Sequence, residues 1–446
     1  MKKFFGTDGI RGLANAHPIN QRFIQKLAYS LGRNIKKDSK SNCKVLIGKD
    51  TRVSCDMIEA SLVSSFLSLG IDCIIFEPTP TALVSFMTKK LKCNLGIMIS
   101  ASHNPFYDNG IKVFKSNGQK LSDKDELKIE EMIDQFKFPG FLITKQLGKI
   151  IKYDSDFTEY KKSIKKVFPK SIDFSDIKII LDCANGAAFK IAPEIFKDFN
   201  VNFKTIFNSP DGKNINKNCG SLFLNNLKKE VLKEKANLGF AFDGDADRLI
   251  VVDSRGKVID GDKILAIIGT SLSKLGKLKG GGIVATKMSN LGLKKFLYEK
   301  KIKLFECDVG DRYVVKKMKD KKCNLGGEQS GHIIFKDISE SGDAILSALQ
   351  ILITIKLENK TIDEILDGYT SVPQKLFNFE LKDCDILQNS KFISNIESIK
   401  RKIKNKGSIL IRKSGTENKL RVMVQTYEKR LLNKTVNDIK KIINEI

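Results

Sequence analysis

The chain alternates short apolar runs with segments in which apolar residues return every three or four positions, the two periods of strand and helix. In the first third, KVLIGKD (44–50) leads into the helical pattern SCDMIEASLVSSFLSLG. IDCIIFE, the punctuation PTPT at 78–81, another helical stretch and NLGIMIS (94–100) then complete the rhythm of a βαβαβ unit. A charge-rich stretch near 119–160 closes it. The pattern restarts at IKIILDCANGAA (177–188), where Asn-Gly turns a strand into a helix, and runs to ANLGFAFDGDADRLIVVD. A third unit begins near 256 and passes through GGIVATK, KLFECDVGDRYV and CNLGGEQSGHIIF to a long helix ending near Leu357. KLENKTIDEILDGYTSVPQK, with Pro373, reads as a linker. After it come FNFELKD, a helix, GSILIRK, LRVMVQTY and a final amphipathic helix. The expected fold class is α/β: three tandem similar α/β domains with mixed, mostly parallel sheets, plus a smaller C-terminal α+β domain. The expected limits are 1–155, 156–255, 256–370 and 371–446. Asn-Leu-Gly recurs at 94, 237 and 324, each time shortly before a candidate site loop, as tandem copies of one fold would leave it. It also occurs at 290, where no site follows; with residues this common, chance accounts for much of the recurrence, and the tandem reading rests mainly on the βα rhythm.

Length agrees with this division, since 446 residues are too many for one core. The apolar runs are strand-sized, far below the roughly 20 residues of a membrane span. In the start, MKKFFGTDGIRG, Gly6, Thr7 and Asp8 interrupt any signal-peptide apolar region. A cytoplasmic protein with no membrane partner is expected. The nine cysteines are never closer than 12 positions and form no CxxC pair, so neither a zinc knuckle nor a redox motif is present. A net charge of +26 invites a polyanion reading. The lysines, however, are spread over every segment, and no specific nucleic-acid partner is expected.

Four loops could carry chemistry, and in parallel sheets ligands bind at the carboxyl ends of strands, where these loops fall. In FDGDADR (242–248), Asp243, Asp245 and Asp247 alternate; in an extended loop all three carboxylates project to one side and can converge on a hard cation. An EF-hand would need Gly and Glu where Arg248 and Ser254 stand, which leaves a metal loop or a solvated acidic turn. In ISASHNPFYDNGIKVF (99–114), Ser100, Ser102 and Asn104 are ordinary turn residues, and neither a triad nor a G-x-S-x-G elbow accompanies them. GGEQSGH (326–332) is dense in groups that hydrogen-bond sugar hydroxyls. RKSGTENKLR (412–421) offers backbone N–H groups, two hydroxyls and guanidinium forks, as a phosphate cradle does, without a Walker pattern. A surface turn explains each of the last two equally well in isolation.

Taken together and in this order, the loops resemble one family, the α-D-phosphohexomutases. The resemblance runs end to end: FGTDGIRG (5–12), GKDTR (48–52), SASHNPFYDNGIK (100–112), DCANGAA (182–188), DGDADR (243–248), VGDRYV (309–314), GGEQSGH (326–332) and RKSGTE (412–417). The start and the Gln of GEQSGH favour the branch acting on glucosamine phosphates over those acting on mannose or glucose phosphates. Lys413 and Asn418 stand where that branch usually has prolines, and Cys55 where it usually has Gly.

The resemblance implies that Ser102 carries a phosphate, with one Mg²⁺ held by that phosphate and by Asp243, Asp245 and Asp247. A phosphate of about −2 with three carboxylates sums to about −5, more than Mg²⁺ offsets, so Arg11, Lys112 and Arg248 are the cations expected beside it. His103 would support the loop. Glucosamine 6-phosphate and glucosamine 1-phosphate would interconvert through a 1,6-bisphosphate, supplying UDP-N-acetylglucosamine and cell-wall synthesis. Lys112 is the first candidate for general base and His332 the alternative. Glu328 and Ser330 would hold the sugar, while Arg412, Ser414, Gly415, Thr416 and Arg421 hold the other phosphate. A small last domain closing over the ligand would suit this, and a homodimer is suggested. Competing readings are an aspartyl phosphatase, opposed by Asp247 where Thr or Val would stand, and a non-catalytic polyanion binder.

Overall fold

The structure, a computed structural model, describes residues 2–38, 42–137, 146–153, 157–167, 172–380, 386–413 and 419–444. Four sheets follow one another along the chain. The first has the spatial order Ile10–Leu13, Asp108–Lys115, Leu95–Ile99, Lys44–Lys49, Asp72–Ile75, Ile150–Lys152; its first two joins are antiparallel and the others parallel. The second runs Val258–Ile259, Leu249–Asp253, Leu238–Phe242, Lys178–Asp182, Asn202–Ile206, again with two antiparallel joins followed by parallel ones. The third runs Lys303–Cys307, Gly282–Thr286, Leu325–Gly327, Ile333–Phe335, parallel except for its last pair. The fourth is an antiparallel sheet of Gln374–Glu380, Lys419–Thr426 and Gly407–Lys413. Mixed, mostly parallel sheets therefore come first and a small α+β unit last.

The Asn-Leu-Gly echo has a structural cause. Asn94, Asn237 and Asn324 each precede a strand, and each side-chain Oδ1 accepts a backbone N–H from a segment leading into the neighbouring parallel strand: Lys44 at 2.9 Å, Lys178 at 2.8 Å and Lys279 at 2.9 Å. The glycine two residues on lies where a helix presses on the sheet. A Cβ at Gly96 would fall 2.0 Å from the Thr88 hydroxyl, at Gly239 2.6 Å from Val231, and at Gly326 2.7 Å from Met318. In all three units the strand so begun turns back through an antiparallel hairpin, and the candidate loop is that turn. The fourth copy differs: Asn290 caps the helix Leu291–Glu299, its Oδ1 accepting from Gly292 N–H.

One hydrophobic cluster joins the first three units, running from Phe76 and Phe114 through Phe196 and Phe240 to Ile333 and Leu349. The helix Ala344–Glu358 lies at its centre and is buried on nearly every side, which its almost unbroken apolar sequence requires. The last unit has a separate core built on Phe392, Leu420, Val424 and Val436. The segment read as a linker is packed only in part: Thr361 caps the short helix Ile362–Ile365, and Ile362, Ile365 and Leu366 are buried in the main cluster, while half of its residues are exposed. Its hydrophobic positions, spaced by helical turns, anchor it among mostly polar neighbours. Among the described residues eight cysteines are free and buried, and no helix is long and apolar enough to cross a membrane; Cys384 lies outside them.

Candidate active site

Ser102 stands in the turn after the strand Leu95–Ile99, wholly buried, with a left-handed φ of 55°. Its Oγ donates to Asp243 Oδ2 at 2.5 Å and lies 3.3 Å from His103 Nδ1, while its N–H donates to Ser100 Oγ at 2.8 Å. Ser100 is thus a support for the turn. The facing loop, Asp243–Arg248, is itself a turn with Ala246 at φ 54°, not the extended segment the alternation suggests. The carboxylates still converge. One oxygen from each of Asp243, Asp245 and Asp247 lies within 4.8 Å of the others, and all three residues are buried. The two loops touch at Gly244, where a Cβ would fall 2.5 Å from the Ser102 carbonyl oxygen.

Asp243 Oδ1 accepts the N–H groups of Asp247 and Arg248, each at 3.0 Å. Thr81 donates its hydroxyl to Asp245 Oδ2 and its N–H to the Asp245 carbonyl. Asp245 Oδ1 is buried without a hydrogen-bond partner, and Asp247 Oδ1 has only the long contacts of His332 Nδ1 at 3.5 Å and Arg248 Nε at 3.8 Å. Such under-satisfied oxygens are costly, and a hard divalent cation would satisfy them; the donor set is all carboxylate, as Mg²⁺ prefers. Burial, then the charges of Asp247 and Asp245, push the Asp243 carboxyl well above the usual range.

Lys112, 1% exposed, lies across the hairpin from Met98. Its Nζ reaches Asp245 Oδ2 at 2.6 Å, Asp247 Oδ2 at 2.8 Å and Asp8 Oδ2 at 3.1 Å. Burial opposes its charge, but these carboxylates hold its pKa well above the ordinary value. Lys112 is an ammonium here. Asp8 also pairs with Arg11 and Lys120, and Lys120 with Asp311 Oδ2 at 2.5 Å. His332 completes the ring: Nδ1 is 3.5 Å from Asp247 Oδ1 and Nε2 accepts from Gly342 N–H at 3.0 Å, which leaves the proton on Nδ1. Burial, helped by Arg248 and Arg11, pushes His103 down to about 3. Arg248 Nε lies 3.8 Å from Asp247.

Above this ring opens a cleft of about 470 Å³ to which all four units contribute, including Asp8, His103, Arg248, Glu328, Ser330, His332, Arg412 and Arg421. Glu328 accepts from Gly310 N–H at 3.1 Å. Arg412 and Arg421 are register partners on adjacent strands. Burial and then the charge of Arg421 lower the pKa of Arg412, while Glu328 opposes them. Ser414, Gly415 and Thr416 lie outside the described residues. Sequence reasoning missed several residues of the ring. Asp8 and Asp311 were in motifs already quoted, but nothing in their spacing assigns them a role; Thr81 followed a Pro-Thr-Pro signal; Lys120 had no motif at all.

The comparisons agree with this geometry. The models for phosphoglucomutase/phosphomannomutase alpha/beta/alpha domains I, II and III match residues 2–139, 156–256 and 260–372, and the C-terminal domain model matches 352–442. The chain belongs to this family, the α-D-phosphohexomutases. Within it, the chain is 42% identical over 443 residues to the phosphoglucosamine mutase of Brucella ovis, covering 99% of this chain and 98% of that one. It is 40% identical over 445 residues to that of Phenylobacterium zucineum, with 100% and 99% covered. Among solved structures, a phosphoglucomutase/phosphomannomutase family protein from Burkholderia thailandensis superposes with a TM-score of 0.80 at 19% identity, covering 100% of this chain and 98% of that one. Aspergillus fumigatus N-acetylphosphoglucosamine mutase, solved with GlcNAc-6P and magnesium, gives 0.68 at 17% identity, covering 99% and 96%.

Proposed function

We propose that the protein is a phosphoglucosamine mutase, an isomerase that interconverts glucosamine 6-phosphate and glucosamine 1-phosphate. The observation that carries the reading is the buried contact of Ser102 Oγ with Asp243, beside two further carboxylates that converge on the same point, Asp245 with an orphaned oxygen. It is supported by full-length relatives of that name.

In this reading Ser102 carries a phosphoryl group and passes it to the free hydroxyl of the bound sugar phosphate. After the 1,6-bisphosphate turns, Ser102 takes back the other phosphate. Asp243, Asp245 and Asp247 hold Mg²⁺, which would neutralise charge on the moving phosphoryl group. Arg11 and Arg248 supply the remaining positive charge, and positioned charge is the main requirement of this chemistry. Lys112 is assigned as base, with His332 the alternative. Because its carboxylate neighbours favour the ammonium form, Lys112 accepts a proton only when Asp245 and Asp247 are otherwise engaged. Glu328 and Ser330 read the sugar. Arg412 and Arg421, with Ser414, Gly415 and Thr416, hold the non-reacting phosphate. The domains of this reading are 1–155, 156–255, 256–370 and 371–446, and the enzyme works in the cytoplasm as a homodimer without nucleic acid.

Peptide mass spectrometry should find phosphate on Ser102, and Ser102→Ala should lose turnover by at least about 1000-fold. Chelation of divalent metal should abolish turnover and Mg²⁺ restore it. A Ser102→Ala variant as active as the parent would end the phosphoserine reading. Faster turnover of mannose or glucose 6-phosphate than of glucosamine 6-phosphate would move the protein to another branch of the family.

A further inference from the structure

The mechanism leaves one strongly built cluster unused. Arg52, only 2% exposed, forms a wholly buried ion pair with Asp50, Nε to Oδ2 at 3.0 Å. The rest of its guanidinium faces the turn that carries Ser102. Nη2 donates to the carbonyls of Ser102 and Asn104, both at 2.9 Å, and Nη1 to that of Pro105 at 2.6 Å. Asn216, from the second unit, donates its amide to the same Ser102 and Asn104 carbonyls, each at 2.9 Å. Flanking Arg52, Thr51 donates its hydroxyl to the Asn185 carbonyl at 2.5 Å and Val53 its N–H to that of Gly212 at 2.9 Å. Arg52 therefore sits at the seam between the unit bearing Ser102 and the unit bearing the metal-suited loop.

This arrangement answers a physical need. A non-glycine residue at φ 55° is strained by roughly 1–2 kcal/mol and persists only where its surroundings over-determine it. Three carbonyls converging on one point also repel each other unless a donor with several N–H groups stands between them. A guanidinium has five donors in a rigid plane and can serve three acceptors while keeping an ion pair; an ammonium is a point charge with no such fork. We propose that Arg52 is a positioning residue for the phosphoryl-transfer step: clamped by Asp50 and seconded by Asn216, it holds the Ser102 turn in register with Asp243. Arg52 does not touch the substrate, and the proposal rests on the reading of Ser102 as the phosphoryl carrier.

The test uses the full-length protein with Mg²⁺, glucose 1,6-bisphosphate as phosphoryl donor and glucosamine 6-phosphate. Arg52→Lys keeps the charge and loses the fork; Asn216→Ala removes only the second unit's share and is the variant of choice if the first does not fold. For Arg52→Lys, kcat should fall about 100-fold, the scale of an ångström's misplacement, with KM changed by less than about 3-fold. Asn216→Ala should fall in the same direction by about 10-fold. In both, hydrogen exchange of the peptide around 100–107 should rise while that of the C-terminal unit stays at the parent level. Unchanged exchange in that peptide, or parental kcat in a folded variant of an active enzyme, overturns the proposal. If the parent turns over none of the hexose phosphates, the reading of Ser102 fails, while the exchange measurement still decides whether Arg52 holds the turn.

Discussion

At the scale of single residues, the site is governed by how buried charges are shared. Lys112 serves Asp8, Asp245 and Asp247 at once, so Lys112→Met leaves two buried carboxylates and the half-buried Asp8 short of a common cation. Losing one partner of a buried ion pair costs about 3–5 kcal/mol. We expect the variant to melt well below the parent in chelator and to recover more of the gap than the parent when Mg²⁺ is added, as followed by thermal unfolding. A second buried acid, Asp182, lies on the strand beside the one that leads into the Asp243 loop. Asp182 accepts from Ala184 N–H at 2.9 Å and Gly220 N–H at 2.8 Å, and burial pushes its carboxyl up to about 7 despite these bonds. A carboxyl raised on folding contributes stability that is present below its unfolded value near 3.8 and lost as pH rises through about 7. Asp182→Asn should therefore gain on the parent between pH 4 and 7, by up to about 1.4 kcal/mol per pH unit. A pH-independent gap between their melting curves would contradict this.

At the scale of elements, three hairpin turns carry the site, and the close approach of two of them is decided by one glycine. Gly244→Ala would place a Cβ 2.5 Å from the Ser102 carbonyl and push Ser102 away from Asp243. We expect a loss in kcat of about 100-fold together with a loss of stability of about 1–3 kcal/mol from overpacking, measured by steady-state kinetics beside calorimetry. Much at this scale was legible in the chain. The alternating periods located the strands Lys44–Lys49, Lys178–Asp182 and Gly282–Thr286 and the helices after them, because both periods record which face is buried. The Asn-Leu-Gly echo was also real, since it marks the same strand entry beneath the same helix contact. What the pattern hid was the antiparallel return after each such strand: Asp108–Lys115, Leu249–Asp253 and Ile333–Phe335 read as buried strands whichever way they run. The supposed linker at 356–375 hid its short helix for a similar reason, as four anchoring residues, Ile362, Ile365, Leu366 and Val372, stand among mostly polar neighbours.

At the scale of the whole molecule, one cluster is shared by the first three units, the first unit has a second cluster of its own, and the fourth unit's core is separate from both. Polar contacts tie the fourth to the third: Gln425 accepts from Leu291 N–H at 2.7 Å and donates to the Ser289 carbonyl at 3.1 Å, and Asn290 donates to Gln374 Oε1 at 3.1 Å. Gln374 in turn donates to Gln329, in the turn that also presents Glu328 and Ser330. Arg412 and Arg421 reach the cleft only because this seam places them there. Gln425→Ala removes two hydrogen bonds of about 1 kcal/mol each. We expect KM for the sugar phosphate to rise about 5- to 10-fold, with kcat and the main unfolding transition nearly unchanged; a parental KM would show that the seam does not set the position of the arginines.

The amino-acid sequence by itself determined the order of strands and helices, the class of sheet and an acidic loop suited to a metal, because periodicity and short motifs are local properties. Asp243, Asp245 and Asp247 stand out by their spacing, whereas Ser102 is singled out only by the family resemblance. Only the tertiary structure decided which charges meet. Lys112 and Asp247 are 135 positions apart, Lys120 joins Asp8 to Asp311 across two units, and Arg52 braces a turn 50 positions away. Such pairings depend on how separate units pack against each other, and packing leaves no period in the sequence.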